Sequence, residues 1–256
     1  MGNIHNQKDD RNIEIERVGI SNYKLPIIFK SKKVYSSIAN IKSYVSLDKS
    51  VKGAHLSRII EVLDEMVANK EITLKNFKEV LFMLRDRLEN DNAFLKMNFD
   101  IVSTNYTPIT KRITYLNSSI ELNGQVIYDT LSQSISLTSN GAMYCPNSKN
   151  ISEYGAHSQK CNLSSILFDN IDEIDIDTVL NIIFGQFSAE VYGIVKSKDE
   201  KYLTEKAYNN PKFSEDLVRD TLIELRNYYK EGKIEVEIEN LESIHQHNVY
   251  SKGILK

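Results

Sequence analysis

Apolar residues recur along this chain in two alternating rhythms. Leu56, Ile59, Ile60, Leu63 and Val67 step at i, i+3, i+4, i+7 and i+11, which predicts an amphipathic helix. Phe77, Val80, Leu81, Leu84 and Leu88 repeat the same steps behind Thr73, a suitable N-cap, so the two helices form a hairpin. Between residues 98 and 139 the period drops to two: Ile113 and Tyr115, Ile120 and Leu122, Ile135 and Leu137. This predicts antiparallel sheet, with Asn123-Gly124 as a two-residue hairpin turn. Short extended segments precede the helices at 13–18 and 23–29, followed by a strand around 43–47. The helical period returns with Ile176, Val179, Leu180, Ile183 and Phe187, and again with Val218, Leu222, Leu225 and Tyr229. Ile234, Val236 and Ile238, alternating with Lys233, Glu235 and Glu237, predict a half-exposed closing strand.

The order strand, strand, helix, helix, strand, strand thus runs nearly twice, with paired helices within 55–90 and 176–230, although no sequence repeat accompanies it. Helices collected on one face of antiparallel sheet make an α+β protein. The polar residues 1–12 are expected to be a disordered N-terminus, with a first unit over 13–139 and a second over 140–256, together one compact subunit.

Composition narrows the function classes. The chain has 256 residues, 41% apolar and 26% charged, enough for a sizeable core. Its net charge of −3 and lack of a basic tail give no general attraction for nucleic acid or anionic membrane. No apolar run reaches the length of a membrane span, and the start lacks an apolar signal core. Two cysteines make no disulfide framework and suit a reducing cytoplasm.

The chemistry concentrates in two short segments. Cys145 and His157 bracket one, and His245 and His247 lie in the other, so three of the five histidines fall there. With the acidic residues Asp199, Glu200 and Glu205, a thiolate and imidazoles can assemble a mixed S, N, O metal site. The spacing itself fits none of the common structural zinc patterns, and a lone cysteine also serves as a small buried hydrophobe. His245 and His247, two apart on an extended segment, would point to one side. Lys52, His55, Ser57 and Arg58 gather cation and hydroxyl at a helix start, a natural anion site, to which Lys149, Lys196 and Lys201 could add. Glycine-rich phosphate loops are absent.

The wording of these segments is similar to a known family. Cys145-Pro146-Asn147-Ser148-Lys149 running into Tyr154-Gly155-Ala156-His157-Ser158-Gln159 resembles the signature of the prokaryotic type IB GTP cyclohydrolases. Arg17-Val18-Gly19-Ile20 with Lys52-Gly53-Ala54-His55-Leu56-Ser57-Arg58 matches before it. Asp199-Glu200-Lys201 and Asn210-Pro211-Lys212-Phe213-Ser214-Glu215-Asp216 match after it, and Glu242-Ser243-Ile244-His245-Gln246-His247 comes last. These segments keep the family's order across residues 17–247.

The resemblance implies tandem tunnelling-fold units, packing as a homotetramer with active sites at subunit interfaces. It implies hydrolysis of GTP to 7,8-dihydroneopterin triphosphate and formate, a reaction of folate and pterin biosynthesis. Cys145, His157 and Glu200 would hold a divalent ion (Mn²⁺, Fe²⁺ or Zn²⁺). Glu215 would accept both N1–H and the amino group of guanine, His245 would act as acid/base with Glu242 and His247 beside it, and the Lys52–Arg58 cluster with the lysines would hold the triphosphate. The family's signature carries a second cysteine where this chain has Asn147, which can hydrogen-bond but cannot act as a thiolate. A paralogue with an altered purine or pterin substrate, or with a non-catalytic binding role, is the alternative.

Overall fold

Local chemistry sets the elements before packing does. Thr73 accepts a hydrogen bond from Asn76 N at 3.0 Å while Asn76 Oδ1 accepts from Thr73 N at 2.7 Å, a reciprocal cap that starts a helix where the sequence predicts one. The computed structural model describes His5 and residues 7–256. In chain order the elements are β1 (Ile15–Lys30), β2 (Val34–Leu47), α1 (Leu56–Met66), β3 (Glu71–Ile72), α2 (Leu74–Arg87), β4 (Asn92–Tyr106), β5 (Ile113–Ile127) and β6 (Thr130–Tyr144). There follow α3 (Pro146–Ile151), β7 (Ser158–Phe168), α4 (Ile176–Gln186), α5 (Ser197–Asn209), α6 (Ser214–Tyr228), β8 (Ile234–Leu241) and β9 (Val249–Leu255). The strands join in the order β3-β1-β2-β4-β5-β6-β7-β8-β9. The β1–β2, β2–β4, β7–β8 and β8–β9 pairs are antiparallel, and only the two-residue β3 is shown parallel to its neighbour. The chain is α+β, as the two periods predict.

Contacts divide the chain into two units. Unit 1 takes the chain through Asp100 with 121–135 and 169–173; unit 2 takes 101–120, 136–168 and 174–256. Within unit 1, Ile59, Val62 and Leu63 of α1 and Phe77, Val80, Leu81 and Leu84 of α2 are buried against each other and the sheet. Burying each such side chain contributes about 1.5–3 kcal/mol. Ile60, expected on the inner stripe, is exposed, and Val62 takes its place. Gly19, in the first matched segment, lets β1 and β2 approach closely: a Cβ there would lie 2.0 Å from Ser43 O. Of residues 1–12, expected to be frayed, 1–4 and 6 lie outside the described residues. His5 O and Gln7 O accept from Gly53 N and Lys52 N, and Asp9 N donates to Ser50 O.

Two expectations are corrected. Asn123-Gly124 is no turn; both residues lie inside β5. Gly124 is there because α2 comes too close for a side chain, with a built Cβ 2.3 Å from Leu81 and 2.8 Å from Phe77. The chain reverses instead between β5 and β6, over Tyr128 (φ 53°) and Asp129. Glu235, expected to face solvent, is 8% exposed. Lys233 and Lys252 both pair with it, and their ammonium groups, Lys233 first, hold its carboxyl below the usual range despite burial.

In unit 2, Val179, Leu180 and Ile183 of α4 and Val218, Leu222 and Leu225 of α6 form the expected buried faces, which Leu217 joins. The intervening α5 is mostly exposed and carries little apolar period, so the pattern does not announce it. It is fixed by Asp199, whose carboxylate accepts from Ile109 N at 2.9 Å, Thr110 N at 2.8 Å and Lys196 N at 3.2 Å, and from the Thr110 hydroxyl. Burial alone would raise this carboxyl, but the donors hold it well below the usual carboxylate range.

Candidate active site

Unit 2 contains a hollow of about 260 Å³ whose wall includes Cys145, His157, Glu215, Glu242, His245 and His247. Cys145 directly follows β6 and caps α3, with Pro146 at the first helical position, where the missing N–H costs nothing. Its Sγ accepts a hydrogen bond from Ser148 N at 3.4 Å, and its own N–H donates to His157 O at 3.3 Å. The excursion between the two residues therefore closes on itself and brings thiol and imidazole to one wall.

The imidazole of His157 is oriented from behind. Its Nδ1 lies 3.3 Å from Ser243 Oγ and 4.0 Å from Glu242 Oε2, while Glu242 Oε1 accepts from Gln159 Nε2 at 3.3 Å. A histidine held through Nδ1 presents Nε2, the arrangement that metal ligation uses. Cys145 and His157 thus offer a soft sulfur and an imidazole nitrogen at the same hollow, a pair suited to a borderline divalent ion. Among the described residues, no three His, Cys, Asp or Glu side chains converge to hold an ion.

Residues 242–248 form an irregular loop between β8 and β9, not the extended segment the spacing suggested. The loop still brings the two rings together: His245 and His247 stack with centroids 5.2 Å apart at 22°. Glu215 sits in the first turn of α6. The helix start is served by its neighbour, Asp216 Oδ2, which accepts from Phe213 N at 3.0 Å, and Glu215 itself makes no hydrogen bond or ion pair among the described residues. The segment that delivers it is pinned at three points. Asn210 Nδ2 donates to Phe187 O at 3.1 Å, Lys212 N to Tyr144 O at 3.1 Å, and Asn240 Nδ2 to Ser214 Oγ at 2.8 Å.

Gln159, Lys212 and Asn240 also line the hollow and were not singled out from sequence. Asn240 could have been: it replaces the apolar residue that the alternation Ile234, Val236, Ile238 calls for. It is 3% exposed, and its Oδ1 has no partner, nor has the buried Gln159 Oε1. Lys212 is held by Asp220 at 2.8 Å.

The other candidates lie elsewhere. Glu200 is exposed in the first turn of α5 and does not line the hollow; nor does Asn147, exposed on α3. Lys149 is turned to Tyr208, its Nζ donating to Tyr208 O and lying 4.0 Å from the ring centroid. Lys201 pairs with Glu205 at 3.7 Å, and Lys196 is exposed at the N-cap of α5. Lys52, His55, Ser57 and Arg58 belong to unit 1. His55 and Arg58 line a separate hollow of about 530 Å³ there, and Arg58 Nη1 donates to Arg87 O at 3.1 Å and lies 3.3 Å from Glu89.

The model of the type I GTP cyclohydrolase FolE2 family matches residues 1–251. The chain belongs to this family. Among curated relatives of the same name, that of Fervidobacterium nodosum is 36% identical over 253 residues, covering 98% of this chain and 96% of its own. That of Nitrosomonas eutropha is 35% identical, covering 98% and 94%. Among solved structures, the uricase from Arthrobacter globiformis aligns with a TM-score of 0.49 at 8% identity, over 94% of this chain and 93% of that one, too slight a likeness to carry an argument. Among the described residues no helix is long and apolar enough to cross a membrane.

Proposed function

We propose that the chain is a GTP cyclohydrolase that converts GTP and water to 7,8-dihydroneopterin triphosphate and formate in the cytoplasm. The observation that carries the reading is the convergence of Cys145, His157, Glu215, Glu242, His245 and His247 on one hollow in a chain of this family. When bound at Cys145 and His157, a divalent ion (Mn²⁺, Fe²⁺ or Zn²⁺) supplies the Lewis acidity that makes water nucleophilic near neutral pH. Glu215, free of other partners, accepts N1–H and the amino group of guanine and so aims the five-membered ring at that corner. His245, stacked on His247, donates the proton the ring nitrogen needs as its bond to C8 opens, with Glu242 on the same wall supporting it.

Glu200, exposed and away from this hollow, fits a ligand supplied by another copy of the chain, in keeping with a homotetramer of tandem tunnelling-fold subunits whose sites lie where copies meet. Lys52, His55, Ser57 and Arg58, with Lys149, Lys196 and Lys201, are the candidates for the triphosphate. Asn147, outside the wall of the hollow, supports a site that works without a second thiol.

Incubating the purified protein with Mn²⁺ and GTP, oxidising, and measuring pterin fluorescence together with formate tests the reading. Equal release of both is expected; fluorescence no greater than in the Cys145→Ala control would overturn it.

A further inference from the structure

Tyr144, the last residue of β6, is bonded to three of the segments around this hollow. Its hydroxyl oxygen accepts a hydrogen bond from Ala156 N at 2.8 Å, one residue before His157. Its carbonyl accepts from Lys212 N at 3.1 Å, at the head of the segment that bears Glu215. Its own N–H donates to Ser188 Oγ at 3.1 Å, and its ring packs edge-on against Tyr208 at 5.8 Å. The turn opposite is shaped to receive it: Gly155 has φ 106°, and a Cβ there would lie 2.9 Å from the Tyr144 hydroxyl. Both the positive φ and the hydroxyl demand glycine.

We infer that Tyr144 is a positioning residue for the metal half-site, its hydroxyl fixing the 155–157 turn and hence the place of His157 against Cys145. The inference rests on the reading of Cys145 and His157 as ligands. The turn is also tied by Cys145 N donating to His157 O at 3.3 Å and by Ser158 Oγ donating to Met143 O at 3.0 Å, while Ser243 and Glu242 face Nδ1 of the ring. The Tyr144 hydroxyl holds the backbone at Ala156, immediately before the ligand, where neither of those two bonds reaches. Because the segment that bears Glu215 is tied to the Tyr144 carbonyl through Lys212 N, deleting the hydroxyl separates the two functions: the ligand loosens and the base anchor stays.

The test is the binding of Mn²⁺ alone to the full-length protein, in the absence of GTP, for wild type, Cys145→Ala and Tyr144→Phe. Tyr144→Phe is expected to bind Mn²⁺ about 10-fold or more weakly, the range for loss of a group that orients a ligand. At saturating Mn²⁺ its KM for GTP should match wild type. Mn²⁺ affinity equal to wild type in a folded Tyr144→Phe protein overturns the inference while leaving the site reading intact. Equal Mn²⁺ binding by wild type and Cys145→Ala overturns the site reading and the inference with it. Should Tyr144→Phe not fold, Gly155→Ala reports on the same contact from the other side, and unchanged Mn²⁺ affinity there also overturns the inference.

Discussion

The hollows of unit 1 and unit 2 differ in what their polar groups are already doing. Around the larger one, Arg58 is engaged by Arg87 O and Glu89, and Asn90 donates to Ser46 O at 2.8 Å while accepting from Asn92 N at 2.9 Å. Asp48 accepts from Ser50 N at 2.8 Å, leaving Asn92 Oδ1 as the buried exception. Around the smaller one, Glu215 is without a partner and the buried oxygens of Gln159 and Asn240 are unpaired. A buried, unsatisfied acceptor costs about 1–3 kcal/mol, so a ligand that brings donors to Gln159 and Asn240 would offset a cost the free fold carries. Volume therefore ranks the two hollows one way and unused hydrogen-bonding capacity the other. The second criterion agrees with the family's motifs.

The strongest way to break this contrast is Cys145→Ala. It should abolish Mn²⁺ binding and lower turnover by more than the roughly 100-fold that loss of a supporting group costs; undiminished metal in the dialysed variant, by elemental analysis, would remove Cys145 from the site. Glu215→Gln comes next. Loss of a charged hydrogen-bond acceptor should lower kcat/KM for GTP about 10- to 100-fold, with unchanged thermal stability, because Asp216 and not Glu215 caps α6. A comparable loss of melting temperature would show that Glu215 is structural.

Asp199 provides the opposite case, a carboxylate whose capacity is fully used. Its folded pKa lies below the ordinary 3.8, so its stabilisation is complete above that value and is lost as pH falls through the folded pKa. Melting temperature should decline on acidification below roughly pH 4, and Asp199→Asn should flatten that decline; identical profiles for the two proteins would dismiss Asp199 as its source. The smallest effect concerns unit 1. If Arg58 binds phosphate it must leave Glu89, and since an exposed ion pair is worth about 0–1 kcal/mol, Glu89→Gln should lower KM for GTP by a few-fold. No change in KM would take Arg58 out of substrate binding.

Much of this was legible before any coordinates. The stripes of α1, α2, α4 and α6 fall where the helical period puts them, because those faces meet a core. Cys145, His157, Glu215, Glu242 and His245 meet in space although nearly a hundred residues separate the first from the last, which only the family's wording could indicate. What escaped has physical reasons. Gly124 looked like a turn because the local sequence cannot show that α2 passes overhead. Glu235 looked exposed because Lys252, one of its partners, lies on β9, a strand the alternation did not reveal. Tyr144 was invisible because its part is played by a hydroxyl and a carbonyl, neither of which has a sequence pattern.

The bond from Cys145 N to His157 O means that two donors are assembled before any ion arrives. An ion meeting them finds little chain left to order, so the entropic cost of joining them has been met in folding. On the proposed reading, in which Glu200 of another copy completes the set, occupancy becomes a matter of mass action between chains. Diluting the protein would then loosen its ion, and concentrating it would tighten the hold, with no change in either of the two donors already in place.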